Sequence, residues 1–313
     1  MNALHLALVD YLHLRRSLGF KLHDAGLQLP RFVDFLNERG ADHITIALAL
    51  EWAQLSDTVQ PNERARRLGY VRMFARYLGA RDLRTEIPPA RLLPYRCKRA
   101  KPYLYSDEEV QRLLAAALAM PVARKTACLR PWMYHCLLGL LAVTGLRISE
   151  ALDLRIDDVD LDTGLLTVRD GKLGRSRLVP IHASTCAVLV DYLERRASFF
   201  DRPVSPYVFV PNLGRRIDTS VVHRAFYALS HRIGLRAQFG GHGPRLHDFR
   251  HRFATQVLTR WYEQGRDPVR DMPVLSTYLG HVRVEDTYWY LSLSPELMTQ
   301  AMARLEQRWG DAS

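Results

Sequence analysis

Apolar residues recur at three- and four-residue intervals from Leu4 to Leu18 and again from Ala25 to Leu36, a spacing that puts them on one face of a helix. Gly19-Phe20 separates these two helices and Gly40 ends the second. Thr45 can cap a third helix that runs through Trp52 and Leu55, and Pro61 stands near the start of a fourth that reaches about Leu78. Leu68, Val71, Ala75 and Leu78 make the buried stripe of the fourth. No alternating strand pattern interrupts the four, so residues 1–90 read as a helical domain.

Between Arg91 and Lys101 the chain reads RLLPYRCKRAK, with basic residues and no acidic ones, flanked by Pro88-Pro89 and Pro102. Residues 91–102 therefore read as a basic linker. Ser106 with Glu109 forms a capping-box signature ahead of Val110, Leu113 and Leu114, which opens a second domain over residues 103–313. Its next helix, Trp132 to Val143, is apolar nearly all round and belongs at the centre of a core. Leu165–Val168 and Leu178–Ile181 have strand character, and Gly171, Gly174 and the basic residues between them make the turn. Helices follow at Ser184–Arg195 and Ser220–Ile233, with a short strand predicted at Val208–Val210 between them. A helix beginning near His247 carries Phe253, Ala254, Val257, Leu258 and Trp261, and Leu279-Gly280-His281 closes a shorter one. Pro295 opens a last helix with an apolar stripe of Leu297, Met298, Ala301, Met302 and Leu305. The fold class is mainly α with a small antiparallel β-sheet.

Charge narrows the function. Lys and Arg total 44 against 33 Asp and Glu in 313 residues, a net charge of +11. Such an excess steers polyanions toward the protein. Arg64, Arg67, Arg72 and Arg76 on the fourth helix, and Arg96, Lys98, Arg99 and Lys101 in the linker, are candidates for phosphate contact, although solvated faces also look like this. Cys97, Cys128, Cys136 and Cys186 show no C-x-x-C spacing, so they suggest buried thiols in a reducing compartment rather than a zinc knuckle or disulfides. No signal peptide or membrane-length apolar run is visible, and a cytoplasmic location with no membrane partner is expected.

The candidate chemistry is concentrated in the second domain. His247 and Arg250 lie three apart in the first turn of their helix, where unpaired N–H groups favour an anion. A helix whose polar end is merely solvated would read the same way. Company for the pair comes from Thr144-Gly145-Leu146-Arg147-Ile148-Ser149-Glu150, from the lysine of Asp170-Gly171-Lys172-Leu173-Gly174-Arg175, from His281, and from Tyr290 nine residues after it. In that order the motifs resemble the tyrosine recombinase, or phage integrase, family, with a leaning toward the branch carried by transposons and insertion elements. The likeness covers residues from about Tyr103 to the C-terminus and extends more loosely over the helical first domain.

The resemblance implies a helical DNA-binding domain followed by an α+β catalytic domain, with Arg147, Lys172, His247, Arg250, His281 and the nucleophile Tyr290 as catalytic residues. Glu150 matches the acidic position beside the first arginine and is expected to orient it. Lys172 is followed by Leu173 where the family often has glycine, and Arg175 is also at the turn, so either could protonate the leaving group or, for Arg175, touch DNA. The implied reaction is site-specific strand breakage and rejoining through a 3′-phosphotyrosyl link, with no cofactor. Implied partners are double-stranded DNA, further protomers assembled as a tetramer on paired sites, and companion recombinases. The last helix would pack in part on a neighbouring protomer. A non-catalytic DNA-binding relative and a relaxing topoisomerase of the same tyrosine chemistry are the competing readings. A metal hydrolase fits poorly, because His242, His247 and His251 have only Asp248 as a carboxylate partner.

Overall fold

The structure, a computed structural model, describes residues 3–55, 60–95, 101–121, 128–169, 176–200, 202, 204–237, 243–292, 297–299, 302–303 and 306. The chain divides into two compact units, Met1–Ala100 and Lys101–Ser313.

The first unit contains α1 (Ala3–Ser17), α2 (His23–Glu38), α3 (Ile46–Gln54) and α4 (Pro61–Gly79). Local signals set their ends. The Thr45 hydroxyl accepts from Leu48 N at 3.2 Å, Pro61 occupies the first turn of α4, and Gly19 and Gly40 take the positive φ that a helix exit requires. Phe32, Leu29, Leu36, Val71 and Phe74 are fully buried where the four helices meet. Leu93, within the stretch read as linker, packs on this same core.

The second unit is built round α6 (Arg130–Thr144), which packs against α5 (Asp107–Leu118), α8 (Ala183–Phe199) and α10 (Asp248–Glu263). Because it has neighbours on so many sides, Leu137, Leu138, Leu140 and Leu141 are all buried, and a polar face would have nowhere to go. The Ser106 side chain accepts from Glu109 N while Glu109 accepts from Ser106 N, the reciprocal cap that the sequence predicts for α5. A three-stranded antiparallel sheet runs in the order β1 (Val159–Asp160), β2 (Leu165–Val168), β3 (Arg177–Pro180), with Val168 opposite Arg177. The remaining helices are α7 (Ile148–Asp153), α9 (Thr219–Arg232), α11 (Pro268–Leu279) and α12 (Glu285–Tyr288), and a 3-10 turn, Trp289–Ser292, follows α12.

Two sequence expectations are corrected. Val208–Val210 are fully buried but form no strand; only Tyr207 makes an isolated bridge, to Arg155. Burial gave the segment its strand-like composition, while Pro206 and Pro211 on either side cannot donate to a ladder. Of the described cysteines Cys136 is buried, whereas Cys128 and Cys186 are only half-buried. In the last helix, Leu297 packs with Ala254, Leu258 and Trp261 of its own unit, while Met298 and Met302 are exposed. Ala301 and Leu305 lie outside the described residues.

Candidate active site

Four helix ends converge to form the site. Helix α6 stops at Gly145, whose φ of 62° is open to glycine, and a Cβ there would meet the Phe253 ring at 2.8 Å. Two residues on, Arg147 occupies the N-cap of α7. Its backbone N–H donates to Glu150 Oε2 (3.0 Å), and its guanidinium donates to Glu150 Oε1 (2.7 Å) and to the Gly280 carbonyl (3.2 Å).

Helix α10 delivers Arg250, which is 1% exposed. A buried guanidinium needs acceptors, and it finds them at two helix C-termini, donating to Gly145 O (2.9 Å) and Leu279 O (2.6 Å). Burial still pushes its pKa down to about 10, although the neighbouring Tyr290 oxygen opposes the shift. The start of α10 is fixed by Asp248, fully buried, which accepts from Arg245 N and the Arg245 guanidinium, both at 2.8 Å. Asp248 is thereby committed to the helix start. Tyr105 stacks on Phe249 at 4.5 Å and donates to Arg245 O at 2.9 Å, anchoring the same turn.

Tyr290 is 2% exposed, and Tyr288, two residues earlier, is 39% exposed. The 3-10 turn puts the Tyr290 ring beside His281 (6.0 Å between centroids, planes 17° apart) and His251 (5.5 Å). His281 Nδ1 lies 2.6 Å from the Thr287 hydroxyl, itself fully buried. Burial, then the charges of Arg250 and Arg147, pushes the His281 pKa down to about 4. His247 is exposed at the edge of the group, and the protein beneath it together with Arg250 lowers its pKa as well. Its ring stands edge-on to His251 at 4.9 Å.

Arg147, Glu150, His247, Arg250, His281 and Tyr290 are thus brought together. Lys172 and Arg175 lie outside the described residues, as do Arg96, Lys98 and Arg99. On α4, Arg76 is exposed, Arg64 is half-buried, and Arg67 reaches toward Glu63 at 3.8 Å. Arg72 is engaged by the protein itself, donating to Pro88 O (2.7 Å) and Pro89 O (2.6 Å). Lys101 is exposed.

The sequence reading missed Arg177, which grips both oxygens of Glu150 at 3.2 and 2.8 Å. One signal was available. On β3, Arg177 is in phase with buried Val179, so it faces the interior side of the strand. It also considered His251 only as a metal ligand, yet His251 is 7% exposed and packs against Trp289 (5.0 Å) and Tyr290.

The model of the phage integrase family matches residues 104–296. The chain is 57% identical over 313 residues to the "putative integrase/recombinase y4rB" of Sinorhizobium fredii, covering 99% of each. It is 32% identical over 234 residues to the tyrosine recombinase XerA of Thermococcus kodakarensis, covering 75% of this chain and 72% of that protein. Among solved structures, the integrase of transposon Tn1549 in complex with transposon right end DNA superposes with a TM-score of 0.65 at 17% identity, over 98% of this chain and 99% of that one, a likeness of fold. The chain therefore belongs to the phage integrase family and is a site-specific DNA recombinase.

Proposed function

We propose that the chain breaks and rejoins double-stranded DNA through a covalent bond between Tyr290 and a 3′ phosphate. The observation that carries this reading is the burial of Tyr290 against Arg250 and His281, while Tyr288 faces solvent. A phosphodiester repels nucleophiles because its non-bridging oxygens are negative, so charge must be neutralised as the fifth bond forms. Arg147 and Arg250 present planar forks with N–H groups to spare beyond those given to carbonyls, and they would hold those oxygens. His281 is neutral near pH 7, and its Nδ1 is engaged with the Thr287 hydroxyl; the tautomer with the proton on Nε2 would donate to the same oxygens. His247, at the exposed edge, would add a further donor.

Tyr290 gives up its proton to solvent, favoured by the positive field of Arg147 and Arg250, and its oxygen attacks phosphorus; the bond to the 5′ oxygen breaks, and Lys172 protonates that oxygen as it leaves as a hydroxyl. Attack by the 5′ hydroxyl of another strand reverses the step and returns the proton. The bond energy is kept in the phosphotyrosyl link, so rejoining calls for no nucleotide or metal cofactor. Exchange of both strands between two duplexes uses four nucleophiles, and each protomer offers one Tyr290, so four protomers would assemble on paired sites. The division into a DNA-binding domain, residues 1–90, a basic linker and a catalytic domain from residue 103 belongs to this reading, as do phosphate contacts from Arg64, Arg67, Arg76 and the linker.

The test is covalent trapping on a nicked duplex carrying the sequence that the chain selects from random duplexes. Tyr290→Phe deletes one hydroxyl and should abolish the adduct while keeping DNA affinity; Tyr288→Phe should still form it. The reverse pattern would move the nucleophile to Tyr288. No adduct from the unmutated chain on its selected site would favour a DNA-binding role without catalysis.

A further inference from the structure

Helix α11 ends in a turn in which Gly280 N donates to Thr277 O (3.0 Å) and His281 N donates to Ser276 O (2.9 Å), with Gly280 at φ 66°. Those bonds satisfy two of the last carbonyls. The next three, in succession, are each taken by an arginine from a different element: Tyr278 O by Arg177 Nε of β3 (2.7 Å), Leu279 O by Arg250 of α10 (2.6 Å), and Gly280 O by Arg147 at the start of α7 (3.2 Å). Two of these arginines have roles in the proposed reaction. The third, Arg177, has a side chain only 10% exposed and is turned inward onto Glu150.

The arrangement solves an electrostatic problem. Glu150 orients Arg147, but a lone carboxylate paired with a lone arginine would cancel the charge needed for phosphate. With Arg177 present, two positive charges face one negative, so the group keeps a net positive charge while Glu150, itself only 6% exposed, is fully paired. Burial alone would raise the Glu150 pKa; the hydrogen bonds and charge of Arg177, with Arg147, hold it at about 2.

We propose that Arg177 is a positioning residue for strand cleavage, gripping Glu150 and the end of α11 so that the Arg147 fork stays aimed and charged for phosphate. It rests on the reaction proposed above. Its geometry requires a fork: Nε serves Tyr278 while the two terminal nitrogens serve the two Glu150 oxygens, which a lysine cannot do at once. Gly280 belongs to the same device, since a Cβ there would lie 2.7 Å from the Arg177 guanidinium.

Two measurements on the full chain decide it. The first is the NMR signal of the Arg147 guanidinium, which should show restricted rotation in the unmutated protein and free rotation in Arg177→Ala and Arg177→Lys. The second is the rate of adduct formation on the nicked selected duplex. Arg177→Ala should slow it about 100-fold, the scale of a misplaced catalytic group, with DNA affinity changed less than about two-fold. Arg177→Lys keeps the charge but not the fork, so it should lower the melting temperature less than Arg177→Ala does and still leave the rate unrestored. In an Arg147→Ala background Arg177→Ala should add almost nothing, because its target is already gone. An Arg147 signal indifferent to Arg177, or a defect that multiplies in the double variant, would overturn the proposal. If the unmutated chain forms no adduct, the recombination chemistry fails instead, and the Arg147 signal alone decides whether Arg177 positions it.

Discussion

Arg250 donates to the carbonyl of Leu279 at 2.6 Å, so a residue proposed to grip phosphate also closes the end of α11. Its other terminal nitrogen closes α6 at Gly145. Structure and chemistry are therefore linked at one side chain. Arg250→Lys reaches at most one of the two carbonyls and leaves the other buried without a donor. The expected loss is about 1–3 kcal/mol in urea unfolding, together with loss of adduct formation. Unfolding unchanged within error would mean that the two carbonyls find water instead.

Gly280→Ala should be costly although it adds one methyl. The backbone is in the left-handed region, and the Arg177 guanidinium that the new Cβ would meet is pinned by three hydrogen bonds, so it cannot swing away freely. A loss of about 1–2 kcal/mol is expected from the backbone conformation alone, read by thermal unfolding. Stability equal to the unmutated chain would show that Arg177 is not held as described.

Stability should fall as the solution is acidified from about pH 6.5 toward 4. Burial lowers the pKa of both His251 and His281 to about 4, below the ordinary value near 6.5, so in that window the unfolded chain binds more protons than the folded one. Their contribution is fully present above the unfolded value and is lost as pH drops through the folded one. Glu150, held at about 2, adds its own loss only below the ordinary carboxylate range, about 4.3. Melting temperatures measured from pH 7.5 to 4.5 should decline, and the double variant His251→Gln, His281→Gln should flatten the curve. A flat curve for the unmutated chain would refute the assignment.

Two arginines of α4 should behave differently. Arg76 is exposed, so Arg76→Ala should weaken DNA binding and reduce its salt dependence while leaving unfolding unchanged. Arg72 holds the Pro88 and Pro89 carbonyls, so Arg72→Ala should lower the stability of the first unit by about 1 kcal/mol. Fluorescence anisotropy across a salt series, paired with urea unfolding, separates the two. Equal effects of both variants on binding and none on unfolding would contradict the geometry.

Local chemistry was legible in the sequence because it acts over a few residues. Ser106 and Glu109, Thr45, Pro61 and the glycine exits at Gly19 and Gly40 mark their helix ends without help from distant parts of the chain. The order of Arg147, His247, Arg250, His281 and Tyr290 pointed to the family for a related reason: side-chain type and spacing survive in the linear text. For Arg177 only the inward phase on β3 was legible, not its role, since its meaning comes from Glu150, 27 residues earlier, and Tyr278, 101 residues later. The same holds for Val208–Val210, where burial among distant elements mimicked a strand. Tyr288 and Tyr290 are the same side chain two positions apart, and only the switch from α12 to a 3-10 turn decided which is buried against Arg250 and His281 and which meets water. Sequence determined which groups are present and where helices begin and end; tertiary folding decided which carbonyls and carboxylates those groups meet, because hydrogen bonding and burial depend on distances through space that no local pattern encodes.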